Sequence, residues 1–141
     1  MFDGGNLKQG ERLIVKLHYT SKIQAARMVV IADMLPAGFE IETVLGPKDG
    51  FLRNGKKGIY DWLGKIAEFD IAEKRDDRFI ASKRHQRWYR YDKGETAAYI
   101  VRAVTPGEFA MPGAMIEDMY RAQDMARTAI GKITISTDNA L

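Results

Sequence analysis

From Glu11 to Tyr19 apolar and polar side chains alternate: Leu13, Val15, Leu17 and Tyr19 fall on one face, and Arg12, Ile14, Lys16 and His18 on the other. A two-residue period predicts a β-strand with one buried face, here led in by a turn at Asn6 to Gly10. Arg27 to Met34 is a β-branched and apolar run ended by Leu35-Pro36-Ala37-Gly38, the pattern of a more deeply buried strand meeting a tight turn. Phe39 to Leu45 alternates again. Between Ala98 and Tyr120 two further alternating runs are broken by Thr-Pro-Gly and Met-Pro-Gly. Strands are expected from Thr96 to Val104, entered through a hairpin turn at Tyr91 to Glu95, from about Ala114 to Tyr120, and from Gly131 to Thr137.

The remaining segments read differently. Gly46 to Gly58 holds four glycines, a proline and several charges, which predicts a mobile surface loop. Ile59 to Ile66 suits a short helix or turn with Ile59, Trp62 and Leu63 on one face. Phe79 to Ala81 and Trp88 to Tyr91 flank a basic segment. Arg121 to Ala129 is a connector of helical propensity, too short to stand alone as a helix. Several modest strands with proline and glycine punctuation predict a mainly β protein, an antiparallel β-sandwich with one or two short helical segments.

At 141 residues and 45% hydrophobic content the chain suits one domain spanning residues 1–141. A net charge of +3 does not call for a nucleic-acid or membrane partner. The absence of cysteine excludes disulfides, thiolate metal sites and cysteine nucleophiles. No apolar run approaches the roughly 18 residues of a membrane span, so direct membrane insertion by this chain is not expected. A start at Met-Phe-Asp-Gly-Gly leading straight into a strand suits a segment cut from a longer polypeptide.

No catalytic constellation stands out. His18 and His85 are far apart and lack partners at metal-ligand spacing, so no metal site and no cofactor are expected. Ser21, Ser82 and Ser136 have no nucleophile-elbow context. Asp76 and Asp77 sit between Arg75 and Arg78, which favours a charge-paired turn over a pair of carboxylates for acid and base work. The segment Lys83 to Lys93 interleaves cations and aromatics, with Arg84, Arg87, Trp88 and Arg90 as a possible patch for nucleic acid or an anionic envelope polymer; a twisted hairpin with Trp88 packed inward has the same pattern and is favoured. Read as a strand, Ile116 to Arg121 has no cleanly apolar face, which suggests an edge or interface, against the alternative that Met119 and Tyr120 bend into the core.

Four motifs carry a resemblance: ADMLPAGFEIE from Ala32 to Glu42, RDDRFIAS from Arg75 to Ser82, YIVRAVTPGEFAMP from Tyr99 to Pro112, and IEDMYRA from Ile116 to Ala122. In order and spacing they resemble the last domain of bacterial alpha-2-macroglobulins, across Leu13 to Ile135. The resemblance implies a C-terminal macroglobulin-like β-sandwich from a large envelope or periplasmic protein, membrane-anchored as a whole, that traps proteases through a cleaved bait region and a Cys-to-Gln thioester. With no cysteine, this chain cannot carry the thioester itself, and the implied role is non-catalytic. It is to dock on the thioester domain, beside neighbouring macroglobulin-like domains, and to keep the thioester covered until activation. The covering motif corresponds here to Asp118, Met119 and Tyr120. Where family members often have proline after the arginine of this motif, this chain has Ala122.

Overall fold

The computed structural model describes residues 2–20, 26–52, 54–85 and 94–137. Among them are eleven strands: β1 (Phe2–Lys8), β2 (Arg12–Tyr19), β3 (Arg27–Met34), β4 (Phe39–Leu45), β5 (Ile71–Lys74), β6 (Arg78–His85), β7 (Glu95–Ala103), β8 (Gly107–Met111), β9 (Ala114–Asp118), β10 (Arg121–Arg127) and β11 (Gly131–Ser136). They form three sheets, ordered β10-β9-β3-β6-β5, β2-β7-β4 and β1-β11-β8. Pairing is antiparallel except between β1 and β11, which run parallel.

One apolar cluster draws Ile31, Phe79 and Ala81 from the five-stranded sheet, Phe39, Ala97, Tyr99 and Val101 from β4 and β7, and Ile133 and Ile135 from β11. The five-stranded sheet is thus one layer of a β-sandwich, as the alternation predicts. Leu13, Val15, Leu17 and Tyr19 pack on this cluster. Ile14, from the opposite face of β2, joins a smaller cluster with Leu45, Leu63, Ile66 and Ala98, because successive strand residues point to opposite sides. Central strand β7 lies between β2 and β4 and is buried on both faces from Glu95 to Tyr99, which suits the apolar stretch Ala97 to Val101, while Arg102 is exposed.

Several expectations are corrected. Only Gln9 and Gly10 turn before β2; the residues ahead of them form β1, drawn into a ladder by β11 from the far end of the chain. The strand expected to reach Tyr120 stops at Asp118, and the connector after it is strand β10. Pairing with β9 overrides the helical propensity of RAQDMAR there. The 46–58 segment is not simply open loop: it contains a 3-10 turn at Pro47–Asp49 and a bridge between Phe51 and Lys57. The 59–66 segment holds a 3-10 turn at Asp61–Leu63 that buries Leu63 while Ile59 and Trp62 project outward, so those three side chains do not share a face.

The alternation of β3 turns Arg27 and Asp33 to the same buried side as Val29 and Ile31. Each charged group is met by a partner. The Tyr99 hydroxyl donates to the Asp33 carboxylate, and the Tyr99 ring stacks on Phe79 with centroids 4.7 Å apart. Burial raises the Asp33 pKa above its ordinary 3.8, against the opposing effect of the Tyr99 hydrogen bond. Burial likewise raises the pKa of the Tyr99 phenol, and the neighbouring carboxylate adds to the shift.

A carboxyl with a raised pKa binds its proton more tightly in the fold than in the unfolded chain. Its contribution therefore favours the fold at low pH and is lost as pH climbs from 3.8 through the raised value. Asp33→Asn has no proton to lose, so the stability of the variant relative to wild type is expected to rise with pH across that window. Thermal midpoints measured for both proteins from acid to neutral pH check this; a constant difference would refute it.

Candidate functional site

Strand β9 is held against β3 in register, with Val29 opposite Asp118, and the Met119 N–H closes the ladder on the Met28 carbonyl at 2.9 Å. The chain then turns at Met119 and Tyr120 and returns as β10, with Arg121 opposite Asp118. One carboxylate organises the turn. Asp118 Oδ1 accepts the Tyr120 N–H at 2.9 Å, an aspartate side-chain turn of the kind that stands in for a backbone bond. Asp118 Oδ2 accepts from Arg27 Nη1 at 3.0 Å.

The next ladder pair after Arg121 and Asp118 is Met125 with Glu117, leaving Ala122, Gln123 and Asp124 as a bulge. The bulge brings Asp124 Oδ2 to 3.2 Å from Arg27 Nη2. A single guanidinium is therefore gripped by one carboxylate from each side of the turn. Arg27 and Asp118 are 6% and 3% exposed, and burial of this degree makes a charge pair sensitive to the loss of either member. Ala122 lies in the unpaired bulge, a position that needs no ladder donor.

The turn presents what it holds. Met119 is 60% and Tyr120 77% exposed, and Met125 on β10 adds a further exposed thioether. The alternative that Met119 and Tyr120 bend into the core is overturned: the two residues sit on a turn, with the phenol and thioether outside the apolar clusters. Of the three motif residues, Asp118 is buried and braces the turn, while Met119 and Tyr120 form its surface. Arg27 went unrecognised in the sequence; the available signal was its position two and four residues before the inward Val29 and Ile31.

The other candidates do not converge. Arg84 is exposed on β6, where its backbone N–H donates to Asp70 Oδ2 at 2.8 Å; Arg87, Trp88 and Arg90 lie outside the described residues. His18 is exposed, with Nδ1 2.8 Å from the Thr96 hydroxyl. His85 is buried with Nε2 2.8 Å from the Tyr19 hydroxyl, and burial, aided by the Lys83 charge, holds its pKa below 6.5. Asp76 and Asp77 are both exposed. Asp77 receives two bonds from Arg78, whose hydrogen bonding lowers the carboxyl pKa, the opposite of what a general acid needs. Ser82 is buried, Ser136 donates to the Leu7 carbonyl, and Ser21 lies outside the described residues.

Comparison with known proteins gives these features a family. The model of the bacterial alpha-2-macroglobulin MG10 domain matches residues 2–123. An alpha-2-macroglobulin of Xylella fastidiosa strain Temecula1 is 36% identical over 137 residues, covering 93% of this chain and 8% of that protein. The native conformation of Escherichia coli alpha-2-macroglobulin superposes with a TM-score of 0.72 at 28% identity, over 95% of this chain and 8% of that one. A Salmonella alpha-2-macroglobulin reacted with methylamine gives 0.70 at 27% identity, over 92% and 8%. The chain thus spans about one-twelfth of the length of such relatives. Among the described residues no helix is long and apolar enough to cross a membrane. Since the family match takes in most of its length, the chain belongs to the bacterial alpha-2-macroglobulin MG10 domains.

Proposed function

We propose that this chain is the C-terminal macroglobulin-like domain of a larger bacterial alpha-2-macroglobulin, and that it docks on the thioester domain and covers the thioester until a protease cuts the bait region. In this reading the domain is not an enzyme. Its parent works in the periplasm or cell envelope, and target proteases meet the domain only through that parent. One observation carries the proposal: an exposed thioether and phenol, Met119 and Tyr120, stand on a turn held by a buried carboxylate and guanidinium.

The chemistry suits a cover. Water and small amines attack an exposed thioester, so excluding them preserves it. Met119 supplies a polarisable apolar contact and Tyr120 a ring with its hydroxyl at a wet rim. The reaction of the related Salmonella protein with methylamine supports an amine-reactive group in the family. Since neither side chain packs in the core, Tyr120→Ala is expected to change the stability of the isolated domain by no more than about 0.5 kcal/mol.

Binding between this chain and the separately produced thioester domain of the same parent tests the docking. Wild type is expected to bind, and Met119→Ala or Tyr120→Ala to weaken binding by about tenfold or more. No binding by wild type, or equal binding by the variants, would contradict the reading.

A further inference from the structure

A second apolar surface lies on the segment between β4 and β5, over the outer face of the β2-β7-β4 sheet. Leu63 and Ile66 pack into the smaller cluster together with Tyr60, while Ile59 is 84% and Trp62 67% exposed. The backbone beneath them is pinned: Tyr60 N–H donates to the Asp49 carbonyl and Gly58 N–H to the Gly50 carbonyl, each at 2.8 Å, and Leu63 N–H to the Tyr60 carbonyl at 3.0 Å. Two close approaches depend on glycine. A Cβ on Gly58 would lie 2.4 Å from the Asp49 carbonyl, and one on Gly50 would lie 2.5 Å from the Gly64 oxygen. The two projecting side chains therefore stand on a compact platform. Around them in the chain, Lys56, Lys57 and Lys65 are exposed.

We propose that Ile59 and Trp62 seat in an apolar pocket with a rim of mixed charge on another domain of the same parent polypeptide. The inference rests on the reading of this chain as one domain of a larger alpha-2-macroglobulin. Relatives of which the chain spans only 8% contain ample further chain to supply the partner, and covalent connection raises its effective concentration to about the millimolar range. Tryptophan is among the side chains most enriched as interface anchors. Lys56, Lys57 and Lys65 have no ion-pair partner among the described residues, and neither have Asp61 and Glu68 beside them, so a complementary rim carries both signs of charge. The Asp118 turn closes strands of the five-stranded layer, whereas this platform covers the β2-β7-β4 sheet, so the two contacts are separable.

Amide hydrogen exchange over residues 58–65 tests the proposal, measured by mass spectrometry on this chain alone and on the full-length parent. Exchange is expected to be slower in the parent by about tenfold or more. Trp62→Ser in the parent should return it to the rate of the isolated chain, while leaving the unfolding midpoint of the isolated chain unchanged. Equal exchange in the two wild-type proteins would overturn the proposal. So would protection that develops only on addition of anionic phospholipid vesicles, which would assign the surface to a membrane. Binding to the separately produced thioester domain reports on Met119 and Tyr120 instead, so failure of the thioester cover would leave this protection in place.

Discussion

Asp118→Ala is expected to destabilise the domain by about 3–5 kcal/mol, the loss typical of breaking a buried ion pair by removing one partner. The carboxylate lies 3.0 Å from Arg27 Nη1 and is almost wholly buried. Without it, the guanidinium keeps, among the described residues, only the partly exposed Asp124 at 3.2 Å, and the Tyr120 N–H loses its acceptor. Asp118→Asn retains an oxygen for that N–H but not the charge, so it should lose less. Urea unfolding of the isolated domain measures both. A loss below about 1 kcal/mol for the alanine variant would mean that Arg27 finds water instead, as surface pairs do. Because the turn depends on Asp118, the alanine variant should also loosen the proposed thioester cover in the parent with Met119 and Tyr120 intact.

Phe79→Ala should be of similar size, about 3–5 kcal/mol, as expected for an aromatic side chain deleted from a closed core. Phe79 is 1% exposed on β6 and lies against the Tyr99 ring, nearly parallel at 23°. Its removal opens a void beside the phenol that satisfies Asp33, so the surroundings cannot collapse freely without disturbing a buried polar contact. Chemical unfolding should show a lower midpoint with an unchanged slope, the sign of lost stability without an altered unfolded state. Against the near-neutral Tyr120→Ala, this variant separates an aromatic residue used for folding from one available for contact.

The strands legible in the sequence are those whose burial follows a simple period. In β2 the split between Leu13, Val15, Leu17 and Tyr19 on one side and Ile14 on the other maps onto two distinct clusters. Strand β1 has no such pattern, carrying Gly4 and Gly5, and exists through parallel pairing with residues at the other end of the chain. Strand β10 is mostly exposed and built from good helix formers, so only its pairing with β9 defines it.

The turn at Met119 and Tyr120 was hidden for a related reason. No glycine, proline or asparagine marks it. It is made by Asp118 capturing the Tyr120 N–H, and that carboxylate is oriented by Arg27, 91 residues earlier in the chain. The motif was visible as a resemblance; the clasp behind it was not. Arg27 and Asp33 lie in a run that reads as buried strand, and only the structure supplies the partners that make two inward charges tolerable.

The most direct test of the thioester cover is the rate at which methylamine releases thiol from the full-length parent before bait cleavage, in wild type, Met119→Ala and Tyr120→Ala. Slow release in wild type, accelerated about tenfold or more in each variant, is the predicted result, equivalent to at least 1.4 kcal/mol of lost protection. Equally slow release in all three, or no releasable thiol in wild type, would contradict it.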